Sequence, residues 1–153
     1  MNLKNEPGKK GRVLYMIVIL DTNFLFALRS KKDKYHERAY EILDIFEKES
    51  SLYFTNYLTM NETLTLAIKR SHGNISFLEK YIELFIGADS FFQVMQITAQ
   101  DIDKIVEICK NFINSKRLLS FTDASLIYLY QELKADWIAS FDGHFDTILN
   151  RKY

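Results

Sequence analysis

Four acidic residues stand at the ends or edges of apolar segments in this chain. They are Asp21 after Val13–Leu20, Glu62 within Tyr57–Ile68, Asp123 in Phe121–Tyr130, and Asp142 after Trp137–Phe141. A carboxylate beside a hydrophobic core costs free energy unless a positive charge meets it. Four carboxylates brought together by the fold would bind a hard divalent cation, Mg²⁺ or Mn²⁺, through their oxygens. The pattern therefore indicates a metal-dependent hydrolase that acts on phosphodiesters.

The composition is typical of one globular domain. The chain has 153 residues, of which 48% are apolar, and Lys plus Arg balances Asp plus Glu at 20 against 20. We expect residues 16–153 to form the domain and residues 1–15 to be a loose extension, because Met16 could itself begin a complete domain. No apolar run reaches the roughly 20 residues that cross a bilayer. The single cysteine excludes an internal disulfide framework and fits a reducing cytoplasm.

Segments typical of strands alternate with segments of helical period. The predicted strands are Val13–Leu20, Leu52–Phe54, Phe91–Met95 and Trp137–Ala139. The predicted helices include Asp33–Glu49, Tyr57–Arg70, Ile75–Ala88, Thr98–Phe112 and Thr122–Leu133. Strands that alternate with helices of about 10 to 15 residues predict an α/β fold. We expect three layers, α/β/α, around a short and mostly parallel central sheet.

Strand polarity separates two candidate ligands from an acid that should lie elsewhere. Asp21 and Asp142 each follow a predicted strand, and right-handed crossovers bring the carboxyl ends of parallel strands to one edge of the sheet. Asp136 precedes the last strand, so we expect it at the opposite edge. An alternative for Asp21 is that it only caps the helix beginning at Thr22.

Glu62 is a candidate site residue because of its position in the helical pattern. Leu58, Glu62 and Leu66 are spaced i, i+4 and i+8, which places the glutamate on an apolar stripe of its helix. Because a charge is rarely found on such a stripe by accident, we favour a functional role for Glu62. The alternative is that Glu62 pairs with Lys69 or extends to water.

The remaining candidates carry weaker signals. Asp123 lies in the first turn of its helix, where the helix dipole favours any acid. Asp146 is either a fifth carboxylate on the same rim or a surface residue. No zinc-ligand spacing relates His36, His72, His144 and Cys109, and we interpret each as a surface or core residue.

Four short segments occur in the order seen in PIN-domain nucleases, and the chain most resembles their VapC-type ribonuclease branch. The segments are Ile19–Asn23, Met60–Thr63, Leu119–Ala124 and Ser140–Phe145. The resemblance implies a catalytic, metal-binding quartet for Mg²⁺ or Mn²⁺ made of Asp21, Glu62, Asp123 and Asp142. It implies supporting polar positions at Thr22, Asn23 and Ser140. Among these four acids, we expect Asp21 and Asp123 to be the central ligands.

The same resemblance implies an endoribonuclease that hydrolyses RNA, the toxin of a toxin–antitoxin pair, with a small antitoxin and a homodimer as partners. The closing edge strand of that family should be very short or missing here. One alternative is a catalytically silent PIN-like module for RNA binding or docking. Another is a haloacid-dehalogenase-type phosphatase with Asp21 as nucleophile, although Asn23 stands where that class has a second acid.

Overall fold

The computed structural model describes residues 14–153 as a five-stranded sheet flanked by six α-helices. The strands are β1 Met16–Leu20, β2 Ser51–Asn56, β3 Gln93–Met95, β4 Trp137–Ala139 and β5 Arg151–Lys152. The helices are α1 Thr22–Arg29, α2 His36–Lys48, α3 Tyr57–Arg70, α4 Ile75–Ile86, α5 Ala99–Phe112 and α6 Phe121–Leu133. None of these helices is long and apolar enough to cross a membrane. Most of the predicted extension, residues 1–13, lies outside the described residues.

The strands follow the order β3-β2-β1-β4-β5, and each neighbouring pair is parallel. The chain moves outward from β1 to β3, returns to place β4 beside β1, and ends at β5. The connections after β1 and β4 therefore leave in opposite directions, which opens a crevice at the carboxyl edge of the sheet. The predicted α/β/α fold with a short parallel sheet is confirmed. The edge strand β5 has two residues, as short as expected.

The side chains of β1 divide the core into two layers. Val18 and Leu20 pack with α1 and α2 on one face of the sheet. Ile17 and Ile19 pack with α5 and α6 on the other face. Because helices cover both faces, β1 has no side that must be polar, which explains its continuous apolar sequence.

The register of β1 and β4 sets the residues that follow them side by side. Asp21 donates its backbone N–H to the carbonyl oxygen of Ala139 at 3.1 Å, so Asp21 and Ser140 leave the sheet together. Asp136 lies at the opposite edge, where its Oδ2 accepts from the backbone N–H of Ile17 at 2.8 Å. Strand polarity predicted both placements correctly.

A buried asparagine ties the sheet to two helices beside the carboxyl edge. Asn56 ends β2 and caps α3, with Oδ1 accepting from the backbone N–H groups of Leu58 at 3.0 Å and Thr59 at 3.1 Å. Its Nδ2 donates to Ser125 Oγ on α6 at 2.9 Å. Both Asn56 and Ser125 are fully buried. These bonds therefore fix the start of α3 against the helix that carries Asp123.

Replacing Asn56 with alanine should destabilise the fold more than the loss of an ordinary helix cap. The Asn56→Ala variant loses the cap of α3 and leaves Ser125 without its buried donor, a combined cost of about 2 kcal/mol. Asn74→Ala is the matched control, because exposed Asn74 caps α4 through one bond to Phe77 N at 2.9 Å. We expect a cost of about 1 kcal/mol or less there. Equal losses in urea unfolding of the two variants would contradict this account.

Candidate active site

Asp21 is a buried carboxylate that caps α1 at the end of β1. Its Oδ1 accepts from the backbone N–H of Thr22, and its Oδ2 accepts from Ser140 Oγ, both at 2.6 Å. Burial, with a smaller contribution from the charges of Asp123 and Asp142, raises the pKa of Asp21 to about 7 despite these two donors. Asp21 is therefore a helix cap and also part of an electronegative site, so the two interpretations of this residue are compatible.

Asp123 is held at the start of α6 by reciprocal bonds with Ser120. Its Oδ2 accepts from the backbone N–H of Ser120 at 2.8 Å, and Ser120 Oγ accepts from the backbone N–H of Asp123 at 3.0 Å. Only 13% of the Asp123 side chain is exposed. Burial raises the pKa of Asp123, and the charges of Asp142 and Glu62 act in the same direction.

The turn after β4 carries Asp142 and His144 to this site. Ser140 Oγ accepts from the backbone N–H of Asp142 at 3.0 Å, and Asp142 Oδ1 accepts from that of His144 at 2.8 Å. His144 Nδ1 lies 3.3 Å from Asp142 Oδ2 and 4.0 Å from Asp123 Oδ2. One donor atom each from Asp123, Asp142 and His144 fall within 4.8 Å of one another. This is a three-donor cluster, with Asp21 beside it.

Thr22 and Asn23 support the cluster from the start of α1. Asn23 Oδ1 accepts from the backbone N–H of Phe141 at 2.9 Å, which joins α1 to the loop after β4. Thr22 donates its backbone N–H to Asp21, while its buried Oγ1 has no hydrogen-bond partner within residues 14–153. Because buried polar atoms are normally satisfied, an orphaned hydroxyl next to Asp21 fits a site that takes up a polar ligand.

Glu62 lies on a face of α3 that is not the packing face of that helix. The fully buried positions of α3 are Thr59, Thr63 and Ala67. Glu62 is exposed between Leu58 and Leu66, which are only half-buried, so the predicted stripe runs along the helix without facing the core. The spacing of the leucines did not predict that two threonines form most of the packing face of α3. Glu62 nevertheless helps to raise the pKa of Asp123, so its charge acts on the cluster from the rim.

Asp146 is turned away from the cluster by an ion pair. Its Oδ1 accepts from Arg151 Nε at 2.6 Å and its Oδ2 from Arg151 Nη2 at 2.9 Å. This bidentate contact lowers the pKa of Asp146. Arg151 Nη1 also donates to the carbonyl oxygen of Ser140 at 3.2 Å. The carboxylate predicted as a possible fifth ligand instead anchors the end of the turn to β5.

His144 is the site residue that the sequence analysis missed. Its interpretation as a surface or core residue left out that its Nδ1 lies with Asp123 and Asp142 in the donor cluster. The test for zinc-like spacing among histidines could not detect it, since its partners are carboxylates. The sequence does contain an indication of this role: His144 lies two residues after Asp142, and Gly143 between them permits a tight turn.

Comparison with known proteins agrees with this architecture. Residues 18–148 match the model of the PIN domain, so the chain belongs to the PIN domain family. The predicted PIN-domain family and its fold are confirmed. No curated protein sequence matches the chain.

Several solved structures are similar to this chain in fold. VapC20 of Mycobacterium tuberculosis, described as a sarcin-ricin loop cleaving toxin, has a TM-score of 0.70 at 20% identity and covers 84% of this chain and 92% of its own. VapBC2 of Rickettsia felis, solved with a promoter DNA fragment, has a TM-score of 0.66 at 16% identity, with 90% and 98% coverage. FitAcB of Neisseria gonorrhoeae has a TM-score of 0.61 at 15% identity, with 89% and 96% coverage. At these identities the likeness is one of fold.

Without divalent ions, the raised pKa of Asp21 should make the protein less stable as pH rises. The pKa is 3.8 for a free aspartate and about 7 for folded Asp21, so between these values the folded chain binds more protons than the unfolded chain. The free energy of unfolding therefore falls through that window. The Asp21→Asn variant cannot ionise there, so it should show a shallower fall and exceed the wild type in stability at about pH 8.

Urea unfolding in EDTA at several pH values measures this difference. Asp123 also has a raised pKa and is present in both proteins, so the difference between them reports the ionisation of Asp21 together with its repulsion of Asp123. Asp136→Asn is the matched control, because it makes the same change at the opposite edge and should keep the wild-type slope. Parallel curves for wild type and Asp21→Asn between about pH 4 and about pH 7 would contradict the raised pKa.

Proposed function

We propose that this chain is a Mg²⁺- or Mn²⁺-dependent endoribonuclease that hydrolyses RNA phosphodiesters as the toxin of a toxin–antitoxin pair. The observation that carries the proposal is the convergence of Asp21, Asp123 and Asp142 at the carboxyl edge of a PIN-family sheet. Asp21 is buried and Asp123 is half-buried; desolvation raises the pKa of both, and repulsion from neighbouring carboxylates adds to the effect. A fold under selection for stability alone has no use for such repulsion.

The donor set fits a divalent cation. Asp21, Asp123 and Asp142 offer carboxylate oxygens, the ligands that Mg²⁺ and Mn²⁺ prefer, and the buried Thr22 hydroxyl offers a further oxygen. A bound divalent cation at such a site lowers the pKa of a coordinated water and neutralises charge on the scissile phosphate. Binding would also relieve the repulsion among the acids, because a positive charge would then meet each of them.

The protein residues have separable roles in this proposal. Ser140 and the Thr22 backbone hold the Asp21 carboxylate in one orientation. Ser120 does the same for Asp123 at the start of α6, where the helix dipole favours negative charge. Exposed Glu62 is placed to orient water at the rim and approach the RNA side of the site. Catalysis would then depend on positions set by caps and by the sheet, with little rearrangement of the acids.

The proposed partners follow from the family and its similar structures. The similar proteins include VapBC2 and FitAcB, which supports a small antitoxin that covers the acidic edge. A homodimer and a cytoplasmic location belong to the same proposal, and the single cysteine agrees with a reducing compartment. The RNA substrate would meet the carboxylates through its phosphate only with the divalent cation in place, since the acids alone would repel it.

Replacing a central acid should abolish RNA cleavage and leave the fold intact. We expect Asp21→Asn and Asp123→Asn each to lower the rate by about 100-fold or more, because each removes a charged ligand while keeping the size and planar shape of the side chain. Purified protein would be incubated with cellular RNA and Mg²⁺ or Mn²⁺, and the new RNA ends would be sequenced. Asp136→Asn, at the opposite edge of the sheet, should cleave like the wild type.

EDTA supplies the second arm of this experiment. Excess chelator should stop cleavage by the wild type, and added Mn²⁺ should restore it. Cleavage that persists in EDTA, or that is equal in wild type and Asp21→Asn, would contradict a metal-dependent ribonuclease. Wild-type ends that match those of a mock purification would point to a contaminating nuclease and would equally remove the support.

Thermal unfolding separates an intact metal site from a silent RNA-binding or docking module. A ligand at 100 times its dissociation constant stabilises the folded state by about 2.7 kcal/mol, so Mn²⁺ should raise the wild-type melting temperature by several degrees. The same Mn²⁺ should have a much smaller effect on Asp123→Asn. If neither Mn²⁺ nor Mg²⁺ shifts the wild-type curve, the silent module becomes the better account of this chain.

A further inference from the structure

We infer that His144 is a nitrogen ligand of this metal site and that it makes the site select Mn²⁺ over Mg²⁺. The inference rests on the proposed function, because it concerns the same ion. It adds a residue outside the acidic quartet and changes the donor set from all-oxygen to mixed oxygen and nitrogen. The consequence is a metal preference, which can be measured apart from RNA cleavage.

The distances around His144 match those between ligands of one ion. Two ligands at about 2.1 Å from an octahedral ion lie about 3.0 Å apart when adjacent and about 4.2 Å apart when opposite. His144 Nδ1 is 3.3 Å from Asp142 Oδ2 and 4.0 Å from Asp123 Oδ2. The three atoms therefore fit around a single ion with little movement.

Nδ1 of His144 is a buried nitrogen without a hydrogen-bond partner among residues 14–153. The side chain is 39% exposed, yet Nδ1 itself is buried and has no hydrogen bond within the described part of the chain. It lies 3.3 Å from Asp142 Oδ2 without a hydrogen bond between the two atoms. A cation between the three donors would satisfy them together.

The backbone holds the ring in place before any ion arrives. The N–H of His144 donates to Asp142 Oδ1 at 2.8 Å, and Asp146 N donates to the carbonyl oxygen of Gly143 at 3.1 Å. Phe145, fully buried among the side chains of α5 and α6, anchors the turn between them. Orienting the imidazole therefore costs little additional entropy on binding.

A nitrogen donor discriminates between the two candidate ions. Mg²⁺ dehydrates reluctantly and takes oxygen ligands, whereas imidazole suits first-row transition metals. Replacing one oxygen ligand by His144 Nδ1 should therefore weaken Mg²⁺ binding relative to Mn²⁺. Three carboxylates and one imidazole still form a mainly hard donor set, which keeps Mn²⁺ as the expected occupant.

The His144→Asn variant tests the donor atom directly. An asparagine Oδ1 can take the place of the histidine Nδ1, so the variant exchanges nitrogen for oxygen at one position of the site. We expect the ratio of the Mg²⁺ to the Mn²⁺ dissociation constant to fall by about tenfold. Mn²⁺ binding would be followed by the electron paramagnetic resonance signal of the free ion, and Mg²⁺ binding by competition. His72→Asn, at an exposed position with φ of 54°, is the matched control and should keep the wild-type ratio.

A spectroscopic arm decides the question even if the variant folds poorly. The electron spin echo of Mn²⁺ bound to wild-type protein should carry modulation from a directly coordinated nitrogen, and His144→Asn should lose it. Absent modulation in the wild type, or an unchanged ratio in a folded His144→Asn, would overturn the inference and leave His144 outside the set of metal ligands. Nitrogen modulation without RNA cleavage would uphold the ligand and reject the nuclease. RNA cleavage with either ion, but without nitrogen modulation, would support the nuclease and reject His144 as a metal ligand.

Discussion

The buried carboxylate of Asp21 is the constraint on which the carboxyl edge of this sheet depends. Its two oxygens accept from the first backbone N–H of α1 and from the Ser140 hydroxyl after β4. One side chain thus connects the two strands that flank the crevice. Ser140 Oγ extends this network, because it also accepts from the backbone N–H of Asp142. A side chain that moved out of this position would leave Ser140 Oγ without its acceptor in the core, a cost of about 1 to 3 kcal/mol.

Local capping explains how the fold tolerates several acids in one place. Asp21 caps α1, Asp123 completes the cap of α6, and Asp142 caps the turn that contains His144. Each acid therefore accepts backbone hydrogen bonds at the start of a helix or a turn, where the peptide dipoles favour negative charge. These local gains oppose burial and mutual repulsion without cancelling them, since the pKa values of Asp21 and Asp123 remain raised.

The sequence predicted those parts of the site that depend on strand polarity and missed those that depend on local backbone geometry. Asp21, Asp142 and Asp136 were placed at the correct edges because a parallel sheet fixes where each strand end lies. The packing face of α3 was not predicted, because two of its three fully buried residues are threonines, which apolar spacing does not count. The roles of His144 and of Asn56 in β2 depend on a turn and on a contact between distant segments, neither of which periodicity reports.

The turn at Gly143–Phe145 shows why the number of acids in a motif does not equal the number of ligands. With Phe145 anchored in the core, Asp142 and His144 reach the site, whereas Asp146 meets Arg151 of β5. A carboxylate already paired with a guanidinium would have to break that contact before it could bind a metal ion, which makes it a poor ligand. The short β5 therefore affects the chemistry as well as the edge of the sheet. By holding Asp146 away, Arg151 leaves His144 as the fourth donor beside the three acids.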